Sequence, residues 1–357
     1  MADADDTPPA RYRLATPVKL GFGLITCQHH PADSRSDAER YRDAIEVAVL
    51  AEQLGLDSVW VSEHHFVDDG YLASLLPVAA AIAARTERVQ IGTGVMLVPL
   101  HDPVRLAEDA AAVDLISNGR FVLGLGQGWR EEEFDGLRVS LRSRRRRLIE
   151  AIAVLRQAWS DGVVTGTSTS KYPGMSVTPK PAREGGPPIW IGAGAEPAVR
   201  RAGELADGYI GSSLNAEMLA QRVGWLREEL ERGRRDPDAF EIAVHLPTFP
   251  WNGDDAWERV RDSRWYVDWK YGDMAPARGR TGPPASPPPV PAEREQQMRA
   301  STLLGRPEQV AERIRELVDA AGGRLHYIAR LYWPGMDPAV RDESLRIFAE
   351  EVRPLLP

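Results

Sequence analysis

Apolar residues along this chain follow two alternating rhythms. Short runs rich in β-branched and aromatic residues, at 18–25, 57–62 and 89–95, read as strands. Between them, apolar residues recur every three or four positions. Tyr41, Ala44, Ile45, Ala48, Ala51 and Leu54 mark the first helix, and Gly55 stands where a left-handed cap would close it. A second helix is expected over 74–86. Asp102-Pro103 reads as an N-cap followed by proline at the first helical position. That third helix runs to Ile116, and Asn118-Gly119 tolerates the turn that ends it. Strand four spans 121–125, and a helix follows over 141–159. Residues 162–187, rich in Gly, Ser, Thr and Pro, form an excursion with room for a small hairpin. The alternation then resumes, with strands at 189–191, 208–210, 241–249 and 324–332. Helices are expected at 197–205, 218–230, 307–320 and 338–353.

Eight strand–helix units predict an α/β fold, a closed parallel (β/α)8 TIM barrel forming one domain over 17–357. A doubly wound open sheet is the alternative, because periodicity does not show closure. Residues 1–16 are polar, lack the apolar stretch of a signal peptide and are expected to be a disordered tail. Residues 270–300 break the rhythm with Pro, Gly and Arg, including Pro283-Pro284-Ala285-Ser286-Pro287-Pro288-Pro289. No core is expected from such a segment. Its place after strand seven, at the C-terminal mouth of the barrel, predicts a mobile lid.

Charge and composition narrow the partners. A net charge of −8 provides no basic footprint for nucleic acid. The basic run at 144–147 leads into Leu148, Ile152, Leu155 and Trp159, and reads as solvated first turns of an amphipathic helix. No run approaches the roughly 18 apolar residues of a membrane helix. The single cysteine, Cys27, cannot form an internal disulfide, so a cytoplasmic setting is the simplest expectation.

In a barrel, chemistry gathers at the C-terminal strand ends. Strand two ends in Glu63-His64-His65-Phe66. Adjacent strand residues face opposite ways, so one imidazole could face the mouth while its neighbour is held from behind. An imidazole there could move protons near neutral pH. The other histidines (His29, His30, His101, His245 and His326) read individually as hydrogen-bonded polar residues. A metal reading is weaker: the i, i+4 histidine pair is missing and a thiolate cluster is impossible, which leaves a three-histidine site from distant strands without a positive signal, so no metal is expected. Gly92-Thr93-Gly94, Gly124-Leu125-Gly126-Gln127-Gly128 and Gly192-Ala193-Gly194 put Gly-x-Gly sets at three strand ends, which implies backbone brought close to something flat or anionic. The third set opens a helix at Ala195-Glu196-Pro197, a start that can hold a mononucleotide-sized phosphate. Trp129, Trp251 and Trp265 could line an apolar pocket. Cys27 reads as a buried small hydrophobe, with pocket lining as the other possibility.

These residues resemble the bacterial-luciferase-like flavin-dependent monooxygenases over 18–355. The similarity is carried by the segments at 21–28, 56–66, 91–109, 114–121, 188–194 and 305–310, in that order. The resemblance implies reduced FMN as cofactor, delivered by a separate flavin reductase, and O2 activated as a flavin C4a-(hydro)peroxide. It also implies a small apolar organic substrate and a homodimer. It places His64 beside the reactive edge of the flavin, with His65 as its catalytic neighbour. It makes Gly94-Val95 a non-proline cis peptide against the ring. Gly126 and Gln127 then lie beneath the ring and near the phosphate, and Gly194, Ala195 and Ala198 match the phosphate loop, with Gly192 a cofactor-binding candidate from the strand end before it. Phe66 joins Cys27, Trp129 and Trp265 as candidates for the substrate pocket. Luciferase itself has Cys at the place of Gly126, Arg at Gln127, and acid and hydroxyl side chains at 194, 195 and 198. Phosphate binding here would lean on backbone N–H groups, helped by Arg200 or Arg201. A deazaflavin-dependent hydride-transfer enzyme on the same fold is the alternative. A non-catalytic flavin-binding subunit is the alternative of another class.

Overall fold

The computed structural model describes residues 18–276 and 278–357; the tail expected at 1–16 lies outside the described residues. Eight parallel strands close on themselves: β1 (Val18–Ile25), β2 (Ser58–Val61), β3 (Gln90–Thr93), β4 (Phe121–Gly126), β5 (Ile189–Gly192), β6 (Gly208–Ser212), β7 (Glu241–Pro250) and β8 (Leu325–Arg330). Each pairs with the next, and β8 returns to β1 with Gly21 opposite Ile328. The open sheet is thereby excluded.

The outer helices are α1 (Asp37–Gln53), α2 (Leu75–Arg85), α3 (Pro103–Ile116), α4 (Glu131–Gly136), α5 (Arg144–Trp159), α6 (Glu196–Leu205) and α7 (Ala216–Arg232). They continue with α8 (Ala256–Asp273), α9 (Ala292–Ser301), α10 (Pro307–Ala321) and α11 (Pro338–Ile347). Local chemistry sets their ends. Ser36 and Glu39 make a reciprocal capping box at α1, and the Asp102 carboxylate accepts from Val104 N and Arg105 N ahead of α3. Asn118 and Gly119 both take positive φ after α3. The excursion contains an antiparallel pair, Val164–Gly166 with Lys171–Met175.

The lumen is filled from below. Leu24, Trp60, Val122, Trp190, Ile210, Ala243 and Ile328 form a plug across it, with the Trp60 and Trp190 rings 5.2 Å apart. Beneath them, Ser58 Oγ accepts from Trp60 Nε1 (2.7 Å) and meets His326 Nε2 (2.6 Å). Above this plug the lumen opens at the mouth, where a small-molecule site can form. Gly92 belongs to this plug: a methyl there would lie 2.3 Å from the Trp60 ring. The flat object its backbone approaches is the protein's own indole.

The segment at 270–300 differs from expectation. α8 runs through its first residues and α9 occupies its last, and Met274 and Met298 are fully buried. Met298 joins Phe249, Trp257, Val260, Val267 and Trp333 in a small second core. Buried Lys270 pairs with Asp68 and Asp273, Arg130 Nη2 donates to Met274 O (3.1 Å), and Trp265 Nε1 donates to Pro288 O (2.7 Å). Composition concealed this because the anchors come from distant parts of the chain. Among the described residues, no helix is long and apolar enough to cross a membrane.

Candidate active site

The C-terminal ends of the strands enclose a cavity of about 730 Å³, within the ~300–1,000 Å³ range typical of small-molecule sites. His64, Gly94, Val95, Gly126, Gln127, Trp129, Gly192, Gly194 and Ala195 all line it. His64 leaves β2 on the cavity side. Its Nδ1 lies 2.8 Å from Glu133 Oε1 on α4, and its ring stands edge-on to Tyr71, Tyr271 and Trp129. A carboxylate only accepts, so Nδ1 carries the hydrogen and Nε2 is the nitrogen left to act on a ligand. Glu133 is fully buried and is itself fixed by His65 N (3.0 Å) and Arg130 Nη1 (3.3 Å). The sequence reading passed over α4. The signal was present in Glu131-Glu132-Glu133-Phe134, a short acidic turn with one apolar anchor just after strand four.

His65 faces away from the cavity, which corrects its expected catalytic place. Its Nε2 lies 2.6 Å from Glu63 Oε1, the oxygen that also meets His101 Nε2 at 2.9 Å, while Glu63 Oε2 accepts from Leu97 N at 2.6 Å. The ligand atoms of these three side chains lie within 4.8 Å of one another, a metal-like spacing that hydrogen bonding through Glu63 already accounts for. The network braces strand end two against the turn after strand three. Burial works against a charged Glu63, but hydrogen bonds and charge from His101 and His65 prevail and hold its carboxyl below its ordinary 4.5, at about 2. Burial likewise opposes a charged His101, but Glu63 holds its imidazole above its ordinary 6.5. The depressed carboxyl stabilises the fold fully above about pH 4.5 and loses that contribution as pH falls toward 2. The raised imidazole contributes fully below 6.5 and fades as pH rises through its shifted value. The advantage of wild type over Glu63→Gln should therefore peak between those limits, at about 3 kcal/mol. Denaturant midpoints measured from about pH 3 to pH 9 check this, and a difference that ignores pH would refute it.

A flavin fits the rest of the cavity. The Gly94–Val95 peptide is cis, and the Val95 side chain rises from the floor. Methyl groups at Gly126 and Gly192 would come within 2.4 and 2.7 Å of it. Those two glycines thus make room for Val95, and Val95 offers the apolar platform on which a ring could rest. Gly194 is different: a methyl there would meet only Arg222 Nη2, at 3.7 Å, and the cavity lies open beside it. Ala195 caps α6 without a side-chain hydrogen bond, and Ala198, Ser212 and Ser213 continue the same wall. The helping cation is not the one expected. Arg200 is occupied by Glu196, Glu228 and Glu229, and Arg201 does not line the cavity. Arg144 does line it, donating to Gly128 O at 3.0 Å. At least one arginine of the basic run is therefore part of the site rather than a solvated face.

Four candidates for the pocket lie outside it, Cys27 as the buried small hydrophobe that was the other reading of it. Cys27 lies in the main core outside the cavity, 2% exposed, and burial pushes its thiol up to about 12. Phe66, at 54% exposure, lies over Gly136 on the outside. Trp265 packs against the second core, and the cavity wall is made by its neighbours on α8, Arg264, Val267, Asp268 and Tyr271. Trp251 stacks on Phe249, also away from the cavity. The sequence reading missed α8, although Ala256, Val260, Val267 and Tyr271 recur at helical spacing. It gave no role to Arg330, which lines the cavity, and read His245 as a hydrogen-bonded polar residue, whereas His245 lines the cavity with its Nδ1 unpaired.

Known proteins resemble this chain in sequence and in fold. A 4-hydroxyprotoasukamycin monooxygenase from Streptomyces nodosus subsp. asukaensis is 26% identical over 94% of this chain and 92% of its own length. An F420-dependent glucose-6-phosphate dehydrogenase from Rhodococcus erythropolis is 33% identical over 66% of this chain and 71% of its own. For two other curated relatives the match spans only about half their length, 48% and 49%. The fold matches that of the monooxygenase RslO1 from Streptomyces bottropensis, with a TM-score of 0.79 at 23% identity, covering 94% of this chain and 99% of that one. The family model of luciferase-like monooxygenases matches residues 20–324, so the chain belongs to the luciferase-like monooxygenase family.

Proposed function

We propose that this chain is the oxygenase of a two-component FMN-dependent monooxygenase. It acts as a homodimer on a small organic substrate with an apolar body, and a separate flavin reductase provides reduced FMN. The observation that carries this reading is the pairing, in one cavity, of the Val95 platform with an imidazole whose orientation a buried carboxylate sets. Reduced FMN, when bound, supplies the electrons that activate O2. The residues of the chain do the rest. Val95 supports the ring, while Gly194, Ala195, Ser212 and Arg144 would hold the phosphate. His64 Nε2 holds or releases a proton at the reacting edge. Trp129 and Tyr271 screen that edge from water.

A second reading has specific support in the 33% identity to an F420-dependent dehydrogenase. In that case the same platform would carry a deazaflavin, and His64 would serve hydride transfer instead. Titrating the protein with reduced FMN and with reduced deazaflavin, followed by quenching of tryptophan fluorescence, separates the two. We expect saturable FMN binding, and O2 uptake with product formation when a substrate panel is added. Saturable deazaflavin binding with hydride transfer, and no response to FMN, would overturn the proposal. FMN binding with no substrate-dependent O2 uptake would point to a non-catalytic flavin-binding subunit.

A further inference from the structure

One end of the cavity holds more hydrogen-bond donors than a flavin would use. On β8, His326 lies beneath the lumen plug and Ile328 within it. Arg330, two residues further, points into the lumen at the mouth. On β7, Ala243 belongs to the plug and His245 stands above it. α8 brings in Arg264, and the chain after β8 brings in Trp333. Each of these four side chains has a buried nitrogen without a hydrogen-bond partner: Arg330 Nε, Arg264 Nε, His245 Nδ1 and Trp333 Nε1. All four residues line this cavity. Arg264 is 8% exposed and Trp333 3%. Buried polar groups are paired as a rule, so four unpaired nitrogens on one wall mark a place where an acceptor binds.

The charges say what kind of acceptor. Asp268, the carboxylate of this wall, is gripped by Arg294 at 2.6 and 2.7 Å and reached by Arg264 Nη1 at 3.4 Å. Arg294 sits at the exposed rim. Arg330 lies over the Tyr271 ring, 5.7 Å from its centroid, and among the described residues no carboxylate forms an ion pair with it. Arg294 and Asp268 form an ion pair at the rim, which leaves Arg264 and Arg330 as an excess of positive charge that an anion balances. Burial, with Arg330 beside it, holds the His245 imidazole down at about 3, so it adds a neutral ring and no further charge. Phosphate binding at Gly194 and Ala195 belongs to β5, three strands around the barrel from β8, and does not use this wall.

The geometry points to a carboxylate-binding subsite. The substrate of the flavin reaction, on whose assignment to this cavity the inference rests, carries a carboxylate gripped by Arg330 and Arg264, with His245 and Trp333 as further donors. A guanidinium presents parallel N–H groups that match the two oxygens of a carboxylate. The apolar body of the substrate then lies over the lumen plug, between this wall and His64.

Calorimetric titration of the FMN-loaded protein tests this. The probes are benzoate, phenylacetate and 3-phenylpropanoate, their primary amides, and phenyl phosphate. We expect at least one carboxylate to bind about tenfold or more tightly than its amide. Arg330→Met should abolish that preference and Arg330→Lys retain part of it, with FMN affinity unchanged in both. Trp333→Phe, which keeps a ring and removes one donor, should weaken the carboxylate about threefold and guards against a folding defect in the arginine variants. Equal binding of acid and amide, a preference that survives in Arg330→Met, tighter binding of phenyl phosphate, or no binding of any probe at about 5 mM would each overturn the subsite. So would a loss of FMN affinity in Arg330→Met, which would assign the cation to the cofactor. A carboxylate preference in protein that fails to bind FMN would uphold the subsite and sink the flavin reading instead.

Discussion

Gly124→Ala is expected to lower the stability of the barrel by about 3 kcal/mol or more. A methyl group there would lie 1.9 Å from the backbone oxygen of Thr93 and 3.0 Å from Ile210 Cδ1. Thr93 cannot step aside. Its hydroxyl donates to Gly124 O and accepts from Gly124 N, both at 2.8 Å, and the residue is fully buried. The obstacle is backbone rather than the tip of a flexible side chain, so relief requires β3 and β4 to separate. Gly224→Ala supplies the contrast. Gly224 is an exposed helical position with nothing within 4 Å of the new methyl. There the substitution should stabilise by about 0.5–1 kcal/mol, because alanine has less backbone freedom to lose. Urea midpoints of the two variants check both values. A Gly124→Ala protein within about 0.5 kcal/mol of wild type would show that the strands are not packed as closely as described.

His64→Ala should separate O2 consumption from oxygenation. A positioned acid or base contributes about 10²–10⁴-fold to a proton-transfer step. Product formed with reduced FMN should therefore fall by about a hundredfold, while O2 uptake continues. Glu133→Gln should act in the same direction and less strongly, because the imidazole stays but loses the carboxylate that fixes its Nδ1–H. If Glu133 works only through His64, the double variant should be no worse in product yield than His64→Ala alone. Product and O2 measured side by side, as a ratio, decide the matter. Unchanged coupling in His64→Ala would remove the imidazole from the reaction. Additive losses in the double variant would give Glu133 an independent role.

The two corrections with the most consequence share a cause. The Gly-x-Gly sets were read as openings toward a ligand, yet Gly92 houses Trp60, and Gly126 and Gly192 house Val95. Trp60 and Val95 belong to neighbouring strand segments that share the lumen, and nothing along the chain states how they meet. Residues 270–300 were read as a lid without a core, yet Met274 and Met298 are buried and Lys270 is anchored by Asp68, some two hundred residues away. Proline content reports local backbone preference, and it is silent about an ion pair made across that distance. Arg330 and His245 show the same blindness in reverse. Each is a polar residue in a largely apolar strand, unremarkable until the barrel closes and turns both into one cavity.

The sequence by itself determined the eight strand–helix units, the helix ends at Gly55, Asp102 and Asn118-Gly119, and the placing of His64, Gly194 and Trp129 at strand ends that would face a mouth. These follow from periodicity, capping and turn chemistry, which act over a few residues. Only the tertiary structure decided closure, the exchange of His65, Phe66, Cys27 and Trp265 for Glu133, Arg144, Arg264 and Arg330 in the account of the site, and the imbalance of donors on one wall. Those depend on which side chains from distant strands come within a few ångströms of one another, and on whether each finds a partner there.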